Sequence, residues 1–218
     1  LTRLAAYQFP VSLNDTTRAY FLAQAEMASP DVAADMRAVV ADPTNDEAAQ
    51  RLWTANPSWN GMLRTTCVAT QFERGHAANA LPQRAKVNVN CRILPGVPME
   101  QVRADLMRVI ADDAISVHFG DEMGLPAPVP PLTAEMLDPI RTIAKALWPD
   151  ARVVPTMATG ATDGRFLNAA GTPTYGISGV FADAAGSGAH GLNERIRVQS
   201  LLDARQFLHE LVKSYTRH

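Results

Sequence analysis

Residues 62–96 read MLRTTCVATQFERGHAANALPQRAKVNVNCRILPG, and two runs within them, Met62–Phe72 and Lys86–Ile93, are rich in Val, Thr and Cys and alternate in polarity. Period-two alternation marks half-buried strands, because successive side chains of a strand point to opposite faces. Asn79–Pro82 lies between the runs, so the stretch predicts a long β-hairpin. Its second strand ends at Leu94-Pro95-Gly96, where proline lacks the N–H that a ladder needs, and Pro98 stands where a helix can start.

Working outward, Met99–Ala111 sets Val102, Leu106, Val109 and Ile110 on one helical face with Arg and Asp opposite, and Ile115–Phe119 reads as another strand. On the other side, Thr2 to about Phe21 has a helical pattern that Pro10 and Asn14-Asp15-Thr16 divide into two pieces. Between Pro30 and Pro57, Val32, Met36, Val39 and Val40 fall at helical spacing and Asp46–Trp53 follows, so short helices fill a helical insertion over about residues 15–57. The order α, β, β, α, β becomes βαββαβ with one more strand ahead of residue 1, which is a ferredoxin-like α+β sandwich.

Gly120–Thr133 carries Pro126, Pro128, Pro130 and Pro131 and reads as a stiff linker, placing a domain boundary near residue 120. Beyond it the pattern predicts a helix at Ala134–Leu147, a strand at Arg152–Met157, a helix at Asp163–Ala170, a strand at Thr174–Ile177 and a helix at Leu201–Tyr215. Strands alternating with helices suggest part of a layered α/β sheet. The expected division is therefore residues 1–120 and residues 121–218.

The 218 residues are 47% hydrophobic and 19% charged, with a net charge of −2, as expected for a globular protein able to bury a core. No run of Lys or Arg exceeds a pair, so nothing offers an electrostatic footprint for nucleic acid or anionic lipid. No apolar stretch approaches the roughly 20 residues of a spanning helix. Leu1–Tyr7 reads like the middle of an amphipathic helix, so residues are expected ahead of it, and the compartment is left open. Cys67 and Cys91 do not make a disulfide framework; they read as reduced, packed thiols, with pairing across two strands as the alternative.

Three segments have the makings of chemistry. Ala158–Arg165 is a small-residue turn between a predicted strand and helix, where backbone N–H groups can meet an anion and Asp163 can instead cap the helix. Gly186-Ser187-Gly188-Ala189-His190-Gly191-Leu192-Asn193-Glu194 leaves the His190 imidazole unobstructed, as a metal requires, although a lone loop histidine is more often simply solvated. Glu194 could cap the next segment, pair with Arg195 or Arg197, or orient a metal ligand. In the hairpin, Asn79 and Arg92 offer an amide and a guanidinium that could hold a carboxylate. His76, His118, His209 and His218 have no partner at ligand spacing and read as structural or exposed.

Taken in order, these pieces resemble the co-catalytic zinc family of glutamate carboxypeptidase, acetylornithine deacetylase, succinyl-diaminopimelate desuccinylase and the aminoacylases. The resemblance is carried by Asn79-Ala80-Leu81-Pro82, by Arg92-Ile93-Leu94-Pro95-Gly96, by Gly160-Ala161-Thr162-Asp163, by Gly171-Thr172-Pro173 and by His190-Gly191-Leu192-Asn193-Glu194. It implies a ferredoxin-like lid through which subunits form a homodimer, followed by the C-terminal part of a phosphorylase/hydrolase-like α/β zinc-peptidase domain. It further implies that His190 binds one of two zinc ions, that Asn79 reaches a partner subunit's site and that Arg92 grips the substrate carboxylate. Gly160, Ala161 and Thr162 would line the substrate pocket, Ala161 replacing the family's second glycine and adding a methyl.

The family's remaining metal ligands and its general-base Glu have no match among these residues, so the resemblance implies zinc-dependent hydrolysis of a peptide or N-acyl amino acid by a larger protein. The chain alone is then expected to be inactive and not to retain zinc. The competing expectation is a non-catalytic dimerisation or small-ligand-binding module.

Overall fold

The computed structural model describes residues 1–120, 128–182 and 186–216. They fall into two compact units, Leu1–Val129 with Val154–Gly171, and Pro130–Val153 with Thr172–His218. Pro126 and His218 lie outside the described residues. No helix among the described residues is long and apolar enough to cross a membrane.

The first unit opens with α1 (Thr2–Ala6) and continues through α2 (Asp15–Ala25), α3 (Pro30–Ala41), α4 (Asp46–Ala55) and α5 (Pro57–Leu63). Asparagine starts three of these helices. Asn14 Oδ1 accepts the Thr17 N–H while Thr17 Oγ1 accepts the Asn14 N–H, a reciprocal cap, and Asn45 and Asn56 accept from Ala48 and Ser58. Pro30 and Pro57 occupy first-turn positions that have no N–H to lose. Their apolar faces meet in a core of Phe21, Met36, Val39, Leu52 and Leu63, so the expected short helices form and run past Pro57 to Leu63.

The hairpin is β1 (Thr66–Arg74) and β2 (Ala85–Arg92), antiparallel, with Cys67 opposite Cys91 and Arg74 opposite Ala85. Met62 and Leu63, expected on the first strand, end α5 instead, because both fill the insertion core. Ladder partners share a face, so Cys67, Ala69 and Phe72 lie with Cys91, Val89 and Val87. Counting by twos from Ala69 would put Phe72 on the opposite face. The bulge between Ala69 and Gln71 inserts Thr70 and turns Phe72 back to the apolar side. Helix α6 (Met99–Ile110) then lays Val102 and Leu106 with Phe9, packed by Leu4, Tyr7, Cys67, Cys91 and Ile93.

Three expected strands and the thiols need correction. Ile115–Phe119, Arg152–Met157 and Thr174–Ile177 join no ladder, and the sheet among the described residues has two strands. A strand exists by hydrogen bonding to a neighbour, and none of these three segments finds a ladder partner among the described residues. Cys67 and Cys91 form a disulfide rather than two reduced thiols, since direct opposition in the ladder brings their Cα atoms to 4.1 Å.

The second unit is built on α7 (Ala134–Leu147) and α9 (Val198–Tyr215), which bury Ile140, Ala144, Phe207 and Leu211. Trp148 meets Phe181 edge-on at 4.9 Å. Gly179 has φ +67, and a Cβ there would come within 2.9 Å of the Phe207 ring. The short helix α8 (Gly164–Ala169) belongs to the first unit. Mixed helices with a small antiparallel sheet place the chain in the α/β class expected of it.

Candidate functional site

Arg92 is the last residue of β2 and stands opposite Thr66, with its side chain exposed. Alternation fixes this direction: Cys91 faces the covered side, so Arg92 faces away from it. Its guanidinium has no hydrogen-bond or ion-pair partner among the described residues and can present its planar fork to a carboxylate.

Asn79 lies at the other end of the same hairpin, in a turn in which the Ala80 N–H reaches the Ala77 carbonyl at 3.4 Å. Gly75, at φ +71, lets the chain leave β1 for this tip, where Leu81 is 90% exposed. At ~3.4 Å per residue, β2 carries the chain roughly 24 Å from Ala85 to Arg92. The hairpin therefore does not bring Asn79 and Arg92 together.

Gly160, Ala161 and Thr162 form an exposed turn ahead of α8. Thr162 Oγ1 accepts the Gly164 N–H at 3.0 Å, while the Asp163 side chain makes no capping bond, so the capping alternative open to Asp163 is taken by Thr162. The segment before the turn is held from behind. Met157 packs on the insertion core, and Thr159 approaches Gly61 of α5 so closely that a Cβ at 61 would lie 3.0 Å from Thr159 Cγ2. Sequence reasoning passed over Gly61, although a glycine among the helix-competent residues 57–63 was the available signal.

His190 belongs to the second unit and has φ +65. It is the third residue of a tight turn closed by the Gly191 N–H on the Gly188 carbonyl at 2.8 Å, and Arg195 N–H on the Ser187 carbonyl closes the loop base at 2.8 Å. Gly188, itself at φ +65, sits where a Cβ would come within 2.9 Å of the Asn193 oxygen. The loop thus holds a non-glycine residue in the left-handed region, which costs a residue with a Cβ about 1 kcal/mol. The imidazole is exposed.

No group of three His, Cys, Asp or Glu that could hold a metal ion occurs among the described residues. Zinc takes three or four protein ligands, so His190 with its present neighbours does not fit a zinc site of its own.

The family model for the peptidase dimerisation domain, M20, matches residues 6–118, just over half of the 218. The chain is similar to the human N-fatty-acyl-amino acid synthase/hydrolase PM20D1, at 29% identity over 168 residues, 75% of this chain and 33% of that protein. It is also similar to the probable carboxypeptidase S-like 2 of Dictyostelium discoideum, at 26% identity over 165 residues, 75% of this chain and 32% of that protein. The chain spans about a third of the length of these curated relatives.

Proposed function

Because this chain belongs to the M20 peptidase family through its dimerisation domain, we propose that it forms the lid and the C-terminal part of the catalytic domain of a zinc-dependent hydrolase that cleaves the amide bond of a peptide or N-acyl amino acid. Residues 1–120 are the lid and residues 121–218 the catalytic portion. The match over residues 6–118, which contains the whole hairpin and α6, carries the reading. The names of the relatives, an N-fatty-acyl-amino acid synthase/hydrolase and a probable carboxypeptidase, agree on an amide bond beside a free carboxylate.

In this reading the exposed fork of Arg92 binds that carboxylate and orients the scissile bond. Gly160, Ala161 and Thr162 line the pocket with backbone and small side chains. Asn79 serves a partner subunit's site, a role supported by its place at the far end of the hairpin from Arg92. His190 would contribute one ligand to a two-zinc centre completed by residues other than those described, and the ions would there supply an activated water.

The full-length protein tests the reading. It hydrolyses N-acyl amino acids with a free carboxylate, loses activity to a chelator and regains it with zinc, and sediments as a dimer. Failure to hydrolyse any N-acyl amino acid or peptide with zinc supplied would overturn it. The 218-residue chain alone is inactive and binds no stoichiometric zinc, and elemental analysis after chelation and dialysis that found one zinc per chain would contradict this.

A further inference from the structure

Gly61 stands inside α5 with no positive φ to explain it, and glycine at a helix interior costs about 1 kcal/mol relative to alanine. Its neighbour supplies the reason. Thr159 Cγ2 lies 3.0 Å from where a Cβ would be, about half an ångström inside ordinary carbon–carbon contact, so a methyl at 61 requires Thr159 to give way by a few tenths of an ångström. Two residues earlier, Met157 packs against the core formed by Phe21, Met36, Leu52 and Leu63. The helices therefore hold the chain at the half-buried Met157 and touch it again at the exposed Thr159, directly before the exposed Gly160–Thr162 turn.

We infer that Gly61 is a positioning residue for the Gly160–Thr162 turn: through Thr159 it sets how far the turn projects, and so how large an acyl group or side chain the pocket admits. This rests on the proposed role of the turn as a pocket wall. A methyl added at position 61 pushes Thr159 forward and takes the turn with it. Long or branched acyl groups then lose room, whereas an acetyl group does not. The insertion thereby becomes a specificity device placed behind the pocket rather than in it.

The experiment uses the full-length protein with Gly61→Ala, Thr159→Ser and the double variant, since serine removes the crowding Cγ2 and keeps the hydroxyl. Hydrogen–deuterium exchange of the peptide spanning residues 158–165 reads the mechanical coupling whatever the substrate: Gly61→Ala speeds exchange, and adding Thr159→Ser restores it. In parallel, kcat/KM is measured on N-acetyl and N-long-chain-acyl forms of one amino acid. Gly61→Ala lowers the long-to-short ratio about tenfold, the worth of one methyl in a tight pocket, through KM rather than kcat, and the double variant recovers it.

Unchanged exchange in Gly61→Ala overturns the inference, as does altered exchange with an unaltered acyl ratio in an active enzyme. Shifted and rescued exchange in a protein that hydrolyses no amide would instead uphold the coupling and defeat the proposed function. A melting temperature recorded for every variant separates these outcomes from unfolding.

Discussion

The Arg64 guanidinium, only 4% exposed, donates through Nη1 to the Phe9 carbonyl oxygen at 3.1 Å across 55 residues of sequence. The same nitrogen reaches Gln8 Oε1 at 2.8 Å, and Asp46 approaches Nη2 at 3.9 Å. Arg64 follows α5 directly and precedes β1, so one side chain joins the start of the chain, the helical insertion and the hairpin.

Arg64→Ala should therefore destabilise the chain by about 2–3 kcal/mol, because the buried Phe9 carbonyl loses its donor and a cavity opens. Urea unfolding followed by circular dichroism reads this directly. A loss under about 0.5 kcal/mol would mean that water replaces the guanidinium.

The Cys67–Cys91 disulfide closes a loop with a sequence separation of 24. Reduction, or Cys67→Ser with Cys91→Ser, should cost about 3 kcal/mol by restricting the unfolded chain less. The check is the urea midpoint with and without dithiothreitol, and equal midpoints would contradict the bond.

Arg92→Ala in the full-length protein should lower kcat/KM for free-acid substrates by roughly 30-fold or more, as removing a charged partner does, and leave amidated analogues nearly unaffected. Equal losses on both substrate types would show that Arg92 supports the fold rather than gripping a carboxylate.

His190→Gly should separate stability from activity. Glycine adopts φ +65 without a Cβ clash, so the variant gains about 1 kcal/mol, while activity disappears with the imidazole. Thermal melting and hydrolysis rate, measured on the same preparation, are expected to move in opposite directions.

Asp42 gives a pH-dependent signature. Its carboxylate accepts the Thr44 hydroxyl at 2.6 Å and the Thr44 N–H at 2.9 Å, which lowers its pKa, the side-chain bond contributing most. A depressed carboxylate pKa stabilises the folded state above the unfolded value of about 3.9, and the gain is lost as pH falls through the folded value. Thr44→Ala should raise the Asp42 pKa in a carbon-detected NMR titration, and no upward movement would assign the shift elsewhere.

The hairpin, α6 and the insertion were legible in the sequence because local pattern and local structure agree there: alternation, proline at helix starts and asparagine caps are short-range signals. The strands expected at 115–119, 152–157 and 174–177 were not, since a ladder depends on neighbours that these residues do not provide. Asn79, Arg92, Gly160–Thr162 and His190 stand out in the sequence as motifs, whereas their arrangement in space does not. That Asn79 and Arg92 stand at opposite ends of one hairpin follows only from the register, and the Gly61–Thr159 approach joins residues 98 positions apart that no periodicity connects.

The extra residue at Thr70 makes β1 a counted object. Removing it would exchange the faces from Gln71 onward and take Phe72 off the side it shares with Val87, Val89 and Cys91. Loop residues 75–84 can vary in number at little cost, whereas residues 66–74 cannot. In this hairpin, parity constrains the chain as much as composition does.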